Sequence, residues 1–249
     1  MNSSFLKKFL KLFLDAIYTT TIPSRIYALK LVREARRAKN ITDLVNIAYN
    51  VRMPLLKQMS IRPLQVPWEI RILLGLLWVL RPKRILEIGT AGGGTLFLFS
   101  QVADPNAIII SIDLPGGPFG GGYPEWKIPL YKSFKRYPSQ KIFLIRANSH
   151  DTKTLNLVKK ILGNHKLDFL FIDGDHTYEG VKKDFEMYSP LVRKGGLIAF
   201  HDIVPGPQEY VGEVPKFWNE IKQKYDKQRI VEIVEDWRQG GYGIGILII

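Results

Sequence analysis

Residues 173–176 read Asp-Gly-Asp-His, directly after the apolar run "LDFLFI". Two carboxylates this close repel each other and must be solvated, paired or held by a cation. The stretch is therefore either a loop with a helix cap or the working edge of an active site. A second such pair, His201-Asp202, follows the apolar run "GLIAF". Asn148-Ser149-His150 follows "KIFLI", and Asp113 follows "AIIISI". Glu87 and the loop "GTAGGGT" (89–95) follow "RILEI". Glycines there let a backbone approach a ligand, and the helix that comes next offers free N–H groups. An acid 24 residues past the first glycine can accept hydrogen bonds from both hydroxyls of a ribose. Together these features indicate an adenosine-containing cofactor beside ionisable groups, without choosing the cofactor.

The elements that must position these residues are legible from hydropathy. Five short runs, apolar on both faces, alternate with longer amphipathic stretches from residue 84 to 200. That pattern predicts an α/β fold, a parallel sheet covered by helices on both sides. Ligands bind such sheets beyond the carboxyl ends of the strands, so the residues just after each run share one edge. The tail differs. A helix "VPKFWNEIKQKY" precedes "RIVEIVED", a "WRQGGYG" turn and "GIGILII", which predicts two antiparallel strands. Ahead of the first strand, "VPWEIRILLGLLWVL" reads as an apolar helix with Pro67 in its first turn. "EWKIPLYKSFKRY" reads as another helix. The glycine-rich stretch 114–128, with Phe119, Tyr123, Trp126 and Ile128, is long for a connection and is expected to be a flap over the ligand.

Nicotinamide-dinucleotide folds show G-x-G-x-x-G, whereas here Gly89 is followed by Thr90 and Ala91 and then by Gly92 to Gly94. The antiparallel last strand also departs from the usual dinucleotide sheet. Both features favour S-adenosylmethionine. "RILEIGTAGGGT", "SIDLPGG", "FIDGDHTYEGVKKDFEMYSPLVRKGGLIAFHDI" and the terminal hairpin resemble the class I S-adenosylmethionine-dependent methyltransferases. "DGDHTYEGV" and "FHDI" are most similar to the small-molecule and sugar O-methyltransferase group with macrolide-sugar and catechol-type members. The resemblance covers residues 65–249 and implies a seven-stranded, mostly parallel, doubly wound sheet with an antiparallel last strand. It implies that Gly89 and Gly93 line the methionine part of the cofactor and that Thr95 holds its carboxylate. It implies Asp113 on the ribose, Ser149 and His150 at the adenine, and Glu87, Thr90 and Leu114 among the other cofactor contacts. Asp173 would lie near the cofactor's amino group and, with His201 and Asp202, ligate a divalent cation such as Mg²⁺. His201-Asp202 stands where catechol-type relatives have Asp-Asn. His176 stands where they have a lysine base.

Methyl transfer from a sulfonium is an in-line displacement, and an alcohol attacks only if its proton leaves. His176 is the expected base, and Asp173, His201 and Asp202 complete the catalytic set. Plainer readings exist for several of these residues. Asp175 is expected to cap the helix that starts near Thr177. His201 is equally well read as a hydrogen-bonded histidine under the sheet edge. His165, and on this reading His150, belongs to the surface.

The chain has 249 residues, 46% hydrophobic and 24% charged, which suits a globular domain and excludes a disordered one. It has no cysteine, so disulfides and thiolate metal sites are excluded. The net charge of +13 is uneven: residues 1–62 hold twelve Lys/Arg against three acids. Two domains are expected, a basic helical extension (1–62) and a methyltransferase domain (63–249). In the extension, residues 4–18 place Phe5, Phe9 and Phe13 on one helical face and Lys7, Lys8 and Lys11 on the other. They are expected to lie on an anionic membrane or pack on a partner subunit in a homo-oligomer. "SRIYALKLVREARRAKN" follows as a second helix with Ser24 as N-cap and Asn40 near its end. The expected setting is the cytoplasm, or the inner face of its membrane. Competing functions are a nucleic-acid methyltransferase and a non-catalytic scaffold. "DGDH" is unlike the Asn/Asp-Pro-Pro-aromatic motif of amino-methylating nucleic-acid enzymes, and the intact glycine loop and ribose acid speak against a scaffold.

Overall fold

The computed structural model describes residues 22–52, 60–117, 119 and 121–249. Residues 4–18, expected as an amphipathic helix, lie outside the described residues. Helices α1 (Ile22–Arg37), α2 (Ile41–Asn50) and α3 (Pro67–Leu80) come first. Strands and helices then alternate as β1 (Arg84–Ile88), α4 (Gly94–Val102), β2 (Ile108–Asp113), α5 (Ile128–Lys132), β3 (Lys141–Arg146), α6 (Thr152–Leu162), β4 (Leu167–Ile172), α7 (Tyr178–Tyr188) and β5 (Val192–His201). The short α8 (Gln208–Val211) and α9 (Val214–Lys224) lead to the hairpin β6 (Ile230–Ile233) and β7 (Ile244–Ile248). The sheet order is β3-β2-β1-β4-β5-β7-β6, with β1 to β5 parallel and β7 antiparallel to both neighbours.

Each strand buries alternate residues on opposite faces, which is why both faces read as apolar. In β4, Phe169 and Phe171 join one core with Phe99 of α4 and Leu73 of α3. Leu170 and Ile172 join the other with Val181 and Phe185 of α7 and Trp218 of α9. Helices α1 and α2 belong to the first core: Tyr27, Leu31, Leu44 and Ala48 are buried there. Full burial of a side chain such as Leu31 stabilises by roughly 1.5–3 kcal/mol.

The structure corrects two sequence-based expectations. Ser24 does not cap α1, which begins at Ile22; its hydroxyl is buried and donates to the Trp126 carbonyl at 2.6 Å. Asn40 instead caps α2, its side chain accepting from the Asp43 N–H at 2.9 Å. The helix expected over 125–137 is reduced to a 3₁₀ turn and the five residues of α5. The chain past it turns on Gln140, whose side-chain oxygen takes the N–H groups of Arg136 and Tyr137. A side-chain bond of this kind competes with helical hydrogen bonding.

The register decides where the site forms. Ile88 pairs with Ile112 on one side and Ile172 on the other, and Ile172 pairs with Phe200. The residues one step on are Asp113, Gly89, Asp173 and His201, so they form a row across the carboxyl edge of four adjacent strands.

Candidate active site

A cleft opens above that row. It is an open cleft beyond the carboxyl ends of the strands, where such sheets take their ligands. Its walls come from the glycine loop, the segment Arg62–Gln65, the residues Leu114, Gly117, Phe119 and Gly121, Ala147–His150 and Asp173–His176. Gly89 has φ +94, and a Cβ there would sit 1.9 Å from the Asp173 carbonyl oxygen. Only glycine lets β1 leave the sheet this close to β4. Gly93 has φ +83 and is the N-cap of α4, with the Tyr131 ring where a Cβ would go.

At one end of the cleft the structure brings together Asp173, His176, His201 and Asp202. His201 Nδ1 lies 3.1 Å from Asp173 Oδ1 and 3.3 Å from Asp202 Oδ2. His176 Nε2 lies 3.5 Å from Asp173 Oδ1, and its Nδ1 lies 3.5 Å from Asp202 Oδ2. The Tyr210 carbonyl is 2.6 Å from His176 Nδ1. A carbonyl only accepts, so Nδ1 carries the proton and Nε2 is the basic atom of the neutral ring. Asp202 follows β5 with φ +62, a left-handed conformation that is uncommon away from glycine. Its other oxygen accepts from the Tyr242 N–H at 3.1 Å.

The electrostatics of the group are mutual. Burial pushes the Asp173 carboxyl up, but the charges and hydrogen bonds of His201 and His176 outweigh it and hold the carboxyl below its ordinary range. Burial pulls His201 down, and Asp173 and Asp202 more than reverse that, leaving it well above an ordinary histidine. His176 is raised by the same contest, its burial overcome by Asp173, Asp202 and the Tyr210 carbonyl. Asp173, His201 and Asp202 each offer one ligand atom, all within 4.8 Å of one another. Two carboxylate oxygens and one imidazole nitrogen suit a divalent cation by charge and by donor type.

The other end is built from backbone. Asp113 Oδ2 accepts from the N–H groups of Thr90 at 3.1 Å and Ala91 at 2.7 Å, and Oδ1 accepts from Gly122 at 2.6 Å. Burial dominates and raises the Asp113 carboxyl despite these donors. Thr90, Thr95, Leu114, Ser149 and His150 all line the cleft beside it. The cradle that only Gly89 can form, with Asp113 above β2, fits an adenosyl cofactor. His150 is turned inward, not onto the surface: its Nε2 is 3.3 Å from Asp184 Oδ1, and that buried pair raises it. His165 is exposed, as expected. Two described residues of the glycine-rich stretch reach opposite ends of the cleft. Phe119 stacks on His176 with ring centroids 4.8 Å apart, while the Gly122 N–H caps Asp113.

Some expected site residues do not face the cleft. Glu87 points beneath the loop, where Ser111 Oγ donates to it at 2.7 Å. Burial pushes its carboxyl up to about 8, against hydrogen bonds from Thr95 and Ser111. Gly93 serves the turn into α4. His201 and Asp202 stand behind Asp173 and His176. Asp175 does not cap α7 itself; Thr177 does, and Asp175 Oδ1 accepts from the Thr177 N–H at 2.9 Å. Sequence reasoning missed Gln65, whose Nε2 donates to Asp173 Oδ2 at 2.9 Å. It is the one strongly polar residue of "PLQVPW", ahead of an apolar helix, and that was a readable signal.

Residues 86–203, which hold the glycine loop, Asp113, Asp173 and the His201-Asp202 pair, match the family model described as a methyltransferase domain. The chain has the fold of the class I S-adenosylmethionine-dependent methyltransferases. Its fold is similar to that of the O-methyltransferase TomG from Streptomyces achromogenes, solved with S-adenosylmethionine: TM-score 0.53, 17% identity, 85% of this chain and 90% of that one covered. It is also similar to an O-methyltransferase from Bacillus cereus solved with S-adenosylhomocysteine: TM-score 0.51, 15% identity, 88% and 91% covered. An uncharacterized protein of Sinorhizobium fredii is 28% identical over 150 residues, 59% of this chain and 16% of the relative. An uncharacterized mimivirus protein is 56% identical over 36 residues, 14% of this chain and 16% of the relative. The chain thus spans about a sixth of the length of the curated relatives it matches. The seven-stranded order and the antiparallel β7 agree with the fold class expected from sequence.

Proposed function

We propose that this methyltransferase domain moves the methyl group of S-adenosylmethionine to a hydroxyl of a small molecule or sugar. The observation that carries the reading is the position of His176, with a proton fixed on Nδ1 by Tyr210 and a basic Nε2 at the rim of the cofactor cleft. In the reaction the acceptor oxygen attacks the methyl carbon, the carbon–sulfur bond breaks in line, and the sulfonium becomes a neutral thioether. The acceptor's proton goes to His176 Nε2. Asp173, 3.5 Å away, steadies the imidazolium that results. Gln65 holds Asp173 in that position. Asp113 takes the ribose hydroxyls, Thr90, Thr95 and Leu114 line the methionine side, and Ser149 and His150 border the adenine. Asp173, His201 and Asp202 would hold a divalent cation, which would lower the acidity barrier of a bound hydroxyl.

The test combines binding and turnover. Calorimetry with S-adenosylmethionine and with S-adenosylhomocysteine reads the cleft. Label transfer from methyl-labelled cofactor to panels of phenols, catechols and sugars reads the acceptor class. Binding without transfer to any hydroxyl, or transfer to an amine alone, would overturn the reading. Activity unchanged after exhaustive chelation would remove the cation and leave His176 in place.

A further inference from the structure

Helix α1 has an outer face that the core does not explain. Pro23, Ser24, Tyr27, Ala28, Leu31 and Ala35 point inward and are buried. On the outside Ile22, Ile26 and Leu29 are 60%, 51% and 74% exposed. Arg25, Lys30, Arg33, Arg36 and Arg37 are exposed around them, and Glu34, 3.4 Å from Arg37, is the one acid of the helix. The face continues onto neighbouring elements. The Arg136 guanidinium lies over the rings of Trp78 and Tyr137, 5.7 and 5.9 Å from their centres, and both rings are partly exposed. Arg136 also shares a recess with Val32, Ala35 and Arg36; Phe97 and Phe134 lie deep in it and Lys135 is exposed beside it.

We propose that this face of α1, with Trp78 and Tyr137 beside it, is a docking surface for an anionic lipid bilayer. Bare aliphatic side chains ringed by cations gain twice there, from burial in the acyl boundary and from the negative surface potential. Partly exposed Trp and Tyr suit the headgroup level. The alternatives fit less well. A symmetric contact with a second copy would press this cationic face against itself. A phosphate backbone would meet the arginines but leave Ile22, Ile26 and Leu29 without apolar partners. No described helix is long and apolar enough to cross a membrane, so the contact is peripheral.

The inference is independent of the acceptor chemistry and is tested on the full chain. Flotation is measured with vesicles of phosphatidylcholine alone and of phosphatidylcholine mixed with phosphatidylglycerol, at low salt and at 1 M salt. The parent is expected to float with the anionic vesicles only, and to be released at 1 M, where the Debye length is about 3 Å. I26E/L29E and R33E/R36E are each expected to weaken binding at least about tenfold. Their thermal midpoints and circular dichroism should match the parent, because the replaced side chains are exposed. Flotation of either variant equal to the parent's overturns the proposal, as does a parent that ignores anionic vesicles. Light scattering that shows a parental dimer split by I26E/L29E also overturns it, in favour of a second copy.

Discussion

One end of the cleft is walled by glycine Cα atoms and by Asp113 braced on backbone N–H groups; the other presents Asp173 and His176, with His201 and Asp202 behind them. The contrast has a physical basis. On the proposed reading a cofactor's ribose and methionine parts are held by geometry, and Gly89 supplies that geometry by having no Cβ. Proton transfer needs groups whose charge can change, and these must be buried, paired and cross-braced to stay in place. Asp173 illustrates the second case: Gln65, His176 and His201 all contact its carboxylate. Mutations at the two ends should therefore fail differently. The side-chain end should lose rate and keep binding, and the backbone end should lose binding or fold.

The largest separation is expected at His176. His176→Ala should lower kcat by about 10²–10⁴, with cofactor affinity within a few-fold of the parent. A loss of cofactor binding in step with the loss of rate would erase the distinction between the ends. Next comes Gly89→Ala. A φ of +94 and a Cβ 1.9 Å from backbone leave no relaxed position, so roughly 2–5 kcal/mol of stability should go. Urea unfolding checks this, and an unchanged midpoint would mean the strand ends are not held as described.

Asp113→Ala is expected to be milder. It removes the acceptor of three backbone N–H groups and, on the proposed reading, of the ribose hydroxyls. Cofactor binding should weaken by roughly 1.5–3 kcal/mol, while kcat at saturating cofactor stays close to the parent's. A fall in kcat with unchanged affinity would place Asp113 at the wrong end of the comparison.

How much of this could be read beforehand follows the same division. Strand residues and the groups one step past them were legible, since runs such as "LDFLFI" announce both strand and edge. The parallel register then aligns Asp113, Gly89, Asp173 and His201 without further information. Partners that arrive from afar were not legible. Gln65 reaches Asp173 across 108 positions, and the Tyr210 carbonyl that fixes the tautomer of His176 comes from the short helix α8, which carries no motif. Glu87 was misplaced for another reason. Side chains alternate along a strand, and its turn in the alternation sends it under the loop, not into the cleft.

That misplacement yields the smallest predicted effect. Glu87 is fully buried with its carboxyl at about 8, against 4.5 for an ordinary glutamate. Between those values the folded chain keeps a proton that the unfolded chain has lost. Its contribution is fully present below about pH 4.5 and is lost as pH rises through about 8. The slope it adds cannot exceed about 1.4 kcal/mol per pH unit. Glu87→Gln keeps the shape and a neutral donor but cannot titrate. Urea unfolding of parent and variant at pH 5, 6, 7 and 8 should therefore converge at the acid end, with the parent falling behind toward pH 8. Other titrating groups are common to both proteins and cancel in the difference. A constant difference across the series would mean that Glu87 is ionised in the folded chain. A buried carboxylate there would need a cation or bound donors beneath the glycine loop, and the backbone end of the cleft would then carry a charge of its own.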